Sequence, residues 1–366
     1  MIADALGQKI ARRIRAEGPL SVAAYMAMAL HDPEGGYYAR RDPIGAQGDF
    51  ITAPEISQVF GELIGVWCAV VWEQLGRPDP VILAELGPGR GVLIADLLRA
   101  TATVPGFRRA LRLYLLEASA PLRAEQERRL TKFGAVWVSR LDDLPEQPML
   151  VIANEFLDAL PIRQFVRRGG GWLERMVTLD REDRFVFVEG PLGAIARVLV
   201  PPVLRDSARE GDVVEISTAA LAVGAGVGAR LSRQTGAALF IDYGYFPSIP
   251  GATLRALRRH RAVCALNAPG AADLSAHVDF AAFAHAARAG GAKTHGPVPQ
   301  ARLLVALGAR ERAAALRARA TPNQRQTLDS GLGRLLDSDG MGSLFKAVAL
   351  VSAGLPTPPG FEADPR

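Results

Sequence analysis

Two hydrophobic periods alternate along this chain, and the places where one gives way to the other mark its elements. Near the N-terminus, Leu6, Ile10 and Ile14 recur among basic residues at helical spacing, which predicts an amphipathic first helix. Residues 20–30 predict a second, shorter helix with Ser21 as its N-cap. Residues 31–55 are dense in Gly, Pro and Asp, a long irregular stretch of the kind usually kept for function, and Tyr37, Tyr38 and Phe50 argue against disorder. Thr52-Ala53-Pro54-Glu55 has the form of a capping box with proline in the first turn. Ile56, Val59, Phe60, Leu63, Ile64, Trp67, Val70 and Val71 then keep helical spacing, predicting one long helix as far as Gly76.

From residue 81 the rhythm becomes β-α-β-α-β. Short apolar runs at 81–86, 111–117, 135–139 and 149–154 predict strands, and helical patterns fall at 92–100 and 121–133. That alternation implies a doubly wound, mostly parallel α/β sheet. Residues 162–216 instead read as hairpins around Gly169-Gly170-Gly171, an antiparallel insertion. A helix at 218–234 feeds a strand at 237–242, helices are expected near 279–289, 300–319 and 322–336, and an apolar run at 344–352 supplies a last strand. The expected organisation is N-terminal helices and a cofactor-covering loop over 1–78, a core over 79–161 and 237–366, and inserted hairpins and a helix over 162–236.

Composition narrows the classes. With 366 residues and 49% hydrophobic residues, the chain can bury a large core, yet no run approaches the 18 apolar residues of a membrane span. The N-terminal stretch carries Asp4 and Glu17 and lacks an apolar core, so it reads as a helix of the fold rather than a signal peptide. Two distant cysteines, Cys68 and Cys264, support neither a disulfide framework nor a zinc site and suit a reducing compartment. The net charge of +5 comes with Arg-rich runs such as 255–261, but no aromatic residues stand beside them for base stacking, which argues against a nucleic-acid partner. The Ala/Arg/Gly-rich composition suggests a bacterial cytoplasm, or the mitochondrial matrix if the source is eukaryotic.

The chemistry-bearing residues cluster where predicted strands end. Glu85-Leu86-Gly87-Pro88-Gly89-Arg90-Gly91 closes the first strand and opens a helix. Its E-x-G-x-G-x-G spacing departs from the G-x-G-x-x-G dinucleotide fingerprint and opposes an NAD(P)-dependent oxidoreductase. Glycines there let a ligand approach the backbone, and the following helix N-terminus favours a carboxylate or phosphate. Glu117 ends the next strand, where its carboxylate can accept both hydroxyls of a ribose. An acid to balance an ammonium, a glycine turn with no pyrophosphate to hold, and a ribose acid together fit S-adenosylmethionine. Asp142 and Asp143 follow the third strand at adenine height.

Asn154-Glu155-Phe156-Leu157-Asp158 lies at the edge that faces the reacting group of the cofactor. Bidentate pairing of Glu155 with a guanidinium would orient an arginine nitrogen for attack. Asp158 is a further candidate, the other reading being a helix cap. His277 within Ser275-Ala276-His277-Val278-Asp279 is a candidate proton acceptor, with a hydrogen-bonded structural histidine as the alternative. His277 and Asp279 have no metal-ligand spacing, and no metal is expected.

The segments GDFITAPEISQVFGELIG, LAELGPGRGVLIADLLRA, LLEASAPLR, ANEFLDALPIRQF, FIDYG and DLSAHVDF resemble the MidA family, class I S-adenosylmethionine-dependent methyltransferases that include mitochondrial complex I assembly factors and bacterial relatives. The resemblance runs from about residue 5 to Gly360-Phe361. It implies a seven-strand methyltransferase sheet and methylation of arginine in a protein, to the symmetric dimethyl product. Carried over by motif, Glu85, Gly87, Gly89, Gly91, Glu117 and Asn154 would hold the cofactor. Asp49, Phe50 and Thr52 of the Gly48-Asp49-Phe50-Ile51-Thr52 loop would close over it. Asn154 and Glu155 would face a protein substrate such as a respiratory-complex subunit; Asp158 and His277, read from the residues themselves, are candidates for catalytic roles. Val92 stands where the family pattern has threonine and Leu157 where it has phenylalanine. The alternatives are a non-catalytic, cofactor-binding assembly factor and a methyltransferase for a small molecule or a nucleic acid. A homodimer is compatible with the sequence.

Overall fold

The computed structural model describes residues 4–40, 49, 51–192 and 194–363. The chain forms two compact units, one of 1–50, 158–222 and 245–281, the other of 51–157, 223–244 and 282–366.

The second unit is built on strands β1 (Val81–Leu86), β2 (Leu111–Leu116), β3 (Val136–Val138), β4 (Met149–Asn154), β5 (Gly236–Tyr245), β6 (Lys293–Pro299) and β7 (Phe345–Val351). Their order is β6-β7-β5-β4-β1-β2-β3. β3, β2, β1, β4 and β5 pair in parallel, whereas β7 runs antiparallel to β5, and β6 antiparallel to β7. β1 and β4 are buried at every position, as expected of the unbroken apolar runs of strands covered on both faces. This is the doubly wound, mostly parallel α/β sheet anticipated from the strand–helix rhythm. Register sets the edge that matters: Leu86 lies opposite Leu116 and Ala153, and Asn154 opposite Ile241. Glu85, Glu117 and Asn154 therefore reach one carboxyl edge together.

Helices α1 (Ala53–Ile56), α2 (Gln58–Gln74), α3 (Val92–Ala100) and α4 (Ala120–Leu130) belong to this unit. Val59, Phe60, Leu63, Ile64, Trp67 and Val71 of α2 join Leu83, Ile94, Leu97, Leu150 and Leu239 in its core. A Cβ on Gly61 would stand 2.8 Å from Cβ of Asp96, so glycine there permits the close approach of α2 to α3. The single helix expected over 52–76 is two. Ser57 is extended at φ −156, ψ 131, and its side chain accepts from Val59 N–H, capping α2. The Thr52 side chain makes no capping bond. The helix expected over 300–319 also breaks, at Gly308 with φ 89. β6 escapes sequence patterning because its KTHGPVP carries two prolines; as an edge strand with a register shift between His295 and Val298 it tolerates them.

The first unit holds the helices Ala5–Glu17 and Val22–His31, the latter capped by Ser21 as expected. It also holds the antiparallel strands Arg163–Arg168, Gly171–Leu179, Phe185–Leu192 and Val213–Ile216 anticipated from the hairpin-like stretch. One core gathers Leu6, Ile10, Tyr25, Met26, Val177 and Leu274, and another Phe165, Trp172, Val214 and Ile216. A short three-stranded sheet, Arg255–Arg258, Arg261–Val263 and Asp273–Ser275, was not legible in the sequence.

Candidate functional site

The glycine turn follows β1 directly. Gly87, Gly89 and Gly91 all sit at positive φ (65, 53 and 75), and Gly91 is the N-cap of α3 in the left-handed region. A Cβ on Gly87 would lie 2.8 Å from Cδ2 of Phe156, so here the backbone runs against the turn that follows β4. Three left-handed positions within five residues keep the chain tight and bare of side chains where α3 begins. Gly87 N–H donates to the Leu116 carbonyl (3.0 Å), carrying the β1–β2 ladder into the turn.

Two acids flank this turn in different states of satisfaction. Glu85 is 3% exposed, and its Oε2 accepts no hydrogen bond from the described residues. Burial, and secondarily the charge of Glu117, push its pKa up to about 8. Glu117 is anchored: Oε1 accepts from Ser119 N–H (2.7 Å) and Oε2 from Gln126 Nε2 (3.1 Å). Burial raises its pKa as well, against the lowering pull of those donors.

A buried acid with an oxygen left without a partner, just ahead of a helix N-terminus, is a poor arrangement for an empty protein and a good one for a ligand that brings its own ammonium and carboxylate. The residues present therefore fit S-adenosylmethionine. Glu85 would hold the ammonium, the glycine turn and α3 N-terminus the carboxylate, and Glu117 the ribose. Pairing with an ammonium requires Glu85 ionised, whereas below about pH 8 the free protein holds it protonated. Binding of S-adenosylhomocysteine is thus expected to release a proton and to strengthen from pH 6 to pH 8, by up to about tenfold per pH unit. Calorimetry in buffers of different ionisation enthalpy reads both, and Glu85→Gln should flatten the profile. A flat profile in the unmodified protein refutes the assignment.

Beyond β4 the chain turns sharply. Glu155 takes φ 51, a left-handed conformation unusual for a residue with a side chain, and its N–H donates to the Ile241 carbonyl (2.9 Å). Its Oε1 accepts from Ala53 N–H (2.9 Å) and from Asn154 Nδ2 (3.1 Å). Asn154 is itself 7% exposed, and its Oδ1 is buried with no partner among the described residues. Asp242 braces the turn from β5: its Oδ2 accepts from Phe156 N–H (3.1 Å) and Leu157 N–H (2.8 Å). Sequence reasoning assigned Asp242 no role. The signal was available, since it too is an acid closing a predicted strand.

Of the residues singled out from the sequence, Glu85, Gly87, Gly89, Gly91, Glu117, Asn154 and Glu155 come together along one sheet edge, and Thr52 immediately precedes Ala53, which contacts Glu155. Phe50 and Gly48 lie outside the described residues. Asp49, Asp158 and His277 belong to the other unit. There Asp49 accepts from the Tyr37 hydroxyl (2.9 Å) and Arg259 N–H (2.7 Å), the Asp158 carbonyl accepts from Ala276 N–H (3.0 Å), and His277 N–H donates to the Thr253 hydroxyl (2.8 Å). At the adenine position Asp143 is occupied with its own turn, accepting from Ser139 and Arg140 N–H, and Asp142 pairs with Arg140 at 3.3 Å.

Known proteins resemble this chain over most of its length. The model of a family described as "Putative S-adenosyl-L-methionine-dependent methyltransferase" matches residues 63–298. The chain is 34% identical to the protein arginine methyltransferase NDUFAF7 homolog, mitochondrial, of Drosophila melanogaster, over 94% of this chain and 84% of that one. It is 36% identical to the mouse protein arginine methyltransferase NDUFAF7, mitochondrial, over 93% and 82%. Among solved structures, a Burkholderia thailandensis protein bound to S-adenosyl-homocysteine superposes with a TM-score of 0.85 at 31% identity, covering 98% of this chain and 95% of that one. The glycine turn, its two acids and these likenesses over nearly the whole chain lead to one conclusion: the protein belongs to this family of S-adenosyl-L-methionine-dependent methyltransferases.

Proposed function

We propose that the protein methylates arginine side chains of a protein substrate, with Glu155 holding the guanidinium. The observation that carries this is the Glu155 carboxylate, fixed by Ala53 N–H and the Asn154 amide at the end of β4, on the same sheet edge as the cofactor acids. The names of the relatives point to the same substrate class.

When bound, S-adenosylmethionine supplies an electrophilic methyl on a sulfonium sulfur. The residues of this chain do the rest. Glu155 fixes the guanidinium plane and draws positive charge toward the carboxylate, leaving the opposite nitrogen richer in electrons. Alignment of that nitrogen with the methyl is the main contribution, worth up to about 7 kcal/mol in well-oriented cases. Methylation of a guanidinium nitrogen also removes one of its protons, for which we propose Asp158 or His277 as the acceptor. We place this chemistry within the core at 79–161 and 237–366 and, from the composition, in a bacterial cytoplasm; the named relatives are mitochondrial. Among the described residues no helix is long and apolar enough to cross a membrane.

The test is transfer of radioactive methyl from S-adenosylmethionine to lysate protein, followed by acid hydrolysis. Label is expected in methylated arginine, chiefly the symmetric dimethyl form. Label in lysine, in nucleic acid or in small molecules overturns the arginine assignment. Absence of label despite tight cofactor binding supports a non-catalytic assembly factor instead.

A further inference from the structure

A single glutamine on α4 ties together parts of the cofactor site that belong to different strands. Gln126 is fully buried, and both of its polar atoms are hydrogen-bonded. Nε2 donates to the Gly89 carbonyl (2.6 Å) and to Oε2 of Glu117 (3.1 Å), while Oε1 accepts from Trp137 Nε1 (2.7 Å). These partners are the glycine turn after β1, the acid after β2 and a side chain of β3. One amide thus spans the parts assigned to methionine and ribose, and rests on the strand next along the sheet.

We propose that Gln126 is a positioning residue for S-adenosylmethionine: it sets the separation of the Gly89 carbonyl from the Glu117 carboxylate and so determines cofactor affinity. The chemistry favours an amide here over any other side chain of that length. Gly89 and Glu117 both present acceptors, and only an NH2 offers two donors on one nitrogen without bringing a charge that would pair with Glu117 and compete with the ribose. The Trp137 indole, a donor only, selects the amide orientation by taking Oε1. Held by Gln126 on one oxygen and Ser119 N–H on the other, the Glu117 carboxylate has a fixed plane before the ribose arrives, which lowers the ordering cost of binding.

Two near-isosteric substitutions test this, with S-adenosylhomocysteine as the probe and the unmodified protein as reference. Gln126→Glu keeps the shape, removes both donors and sets a second carboxylate against Glu117. Of the charged groups nearby, Arg123 of α4 acts on Glu117, Glu117 acts in turn on Glu85, and the stem of Arg129 lies with that of Gln126 beside Gly91. At pH 8 its Kd should exceed the reference by about tenfold or more, the loss expected for hydrogen bonds to a charged group. The ratio should shrink toward pH 6, where a proton shared between the two carboxyls restores one bond. Gln126→Met, which adds no second carboxyl, should also show a raised Kd at pH 8, and it keeps the test decisive if the first variant fails to fold. A merely structural glutamine would lower Tm and leave both ratios within twofold of one. That result, or a Gln126→Glu ratio with no pH trend, overturns the proposal. If the unmodified protein itself fails to bind the probe, the cofactor assignment fails instead.

Discussion

Gly87→Val is expected to abolish binding of S-adenosylhomocysteine, weakening its Kd by at least about a hundredfold while the protein stays folded. Gly87 takes φ 65, which a β-branched residue adopts only under strain, and even a bare Cβ would meet Phe156 at 2.8 Å. Relief would come by displacing Phe156, whose N–H is bonded to Asp242 and which follows Glu155 directly. The substitution therefore damages the cofactor turn and the Glu155 turn together. Calorimetric titration with the probe, alongside circular dichroism to confirm folding, reads the effect. A folded variant whose Kd lies within a few-fold of the original would mean that the turn is not the cofactor's cradle.

Glu155→Gln separates chemistry from binding. Glutamine matches the shape of glutamate, and its carbonyl can still accept from Ala53 N–H, so the turn survives. The negative charge proposed to face the guanidinium is lost, and with it the charge-assisted pairing that would orient the nucleophile. Methyl incorporation into protein is expected to fall by about a thousandfold or more, the scale of losing a group that acts through the transition state. The Kd for S-adenosylhomocysteine should stay within about twofold, since Glu155 lies outside the acids assigned to the cofactor. Normal turnover by this variant removes Glu155 from the role proposed for it.

The contrast between these two residues follows what was readable from the sequence. The glycine turn is a local object. Positive φ at Gly87, Gly89 and Gly91 needs no partner elsewhere in the chain, and the flanking periods of two and 3.6 announce strand and helix within one short window. Glu85 and Glu117 are legible for the same reason, each being the acid that closes an apolar run. Their protonation is not legible: the rise of Glu85 to about 8 comes from burial and from a neighbour on an adjacent strand. The Glu155 turn is further from view still. Ala53 is 102 residues from Glu155 along the chain, and Asp242 is 86 and 85 from the two residues whose N–H groups it accepts, yet each is within hydrogen-bond distance in the fold. The break at Ser57 misled the helix pattern because apolar spacing continues across it, and only the extended backbone shows that α1 and α2 are separate.

By itself, then, the sequence determined the parallel α/β sheet, the methyl-donor cradle and the family, since period, turn chemistry and strand-end acids are all written within a few neighbouring residues. Only the tertiary structure decided which side chains hold those acids in place. Gln126 was an unremarked polar position in a predicted helix, and Asp242 the last letter of a strand. Each acquires its meaning from backbone groups that chain folding alone brings within about 3 Å, the distance at which hydrogen bonds act.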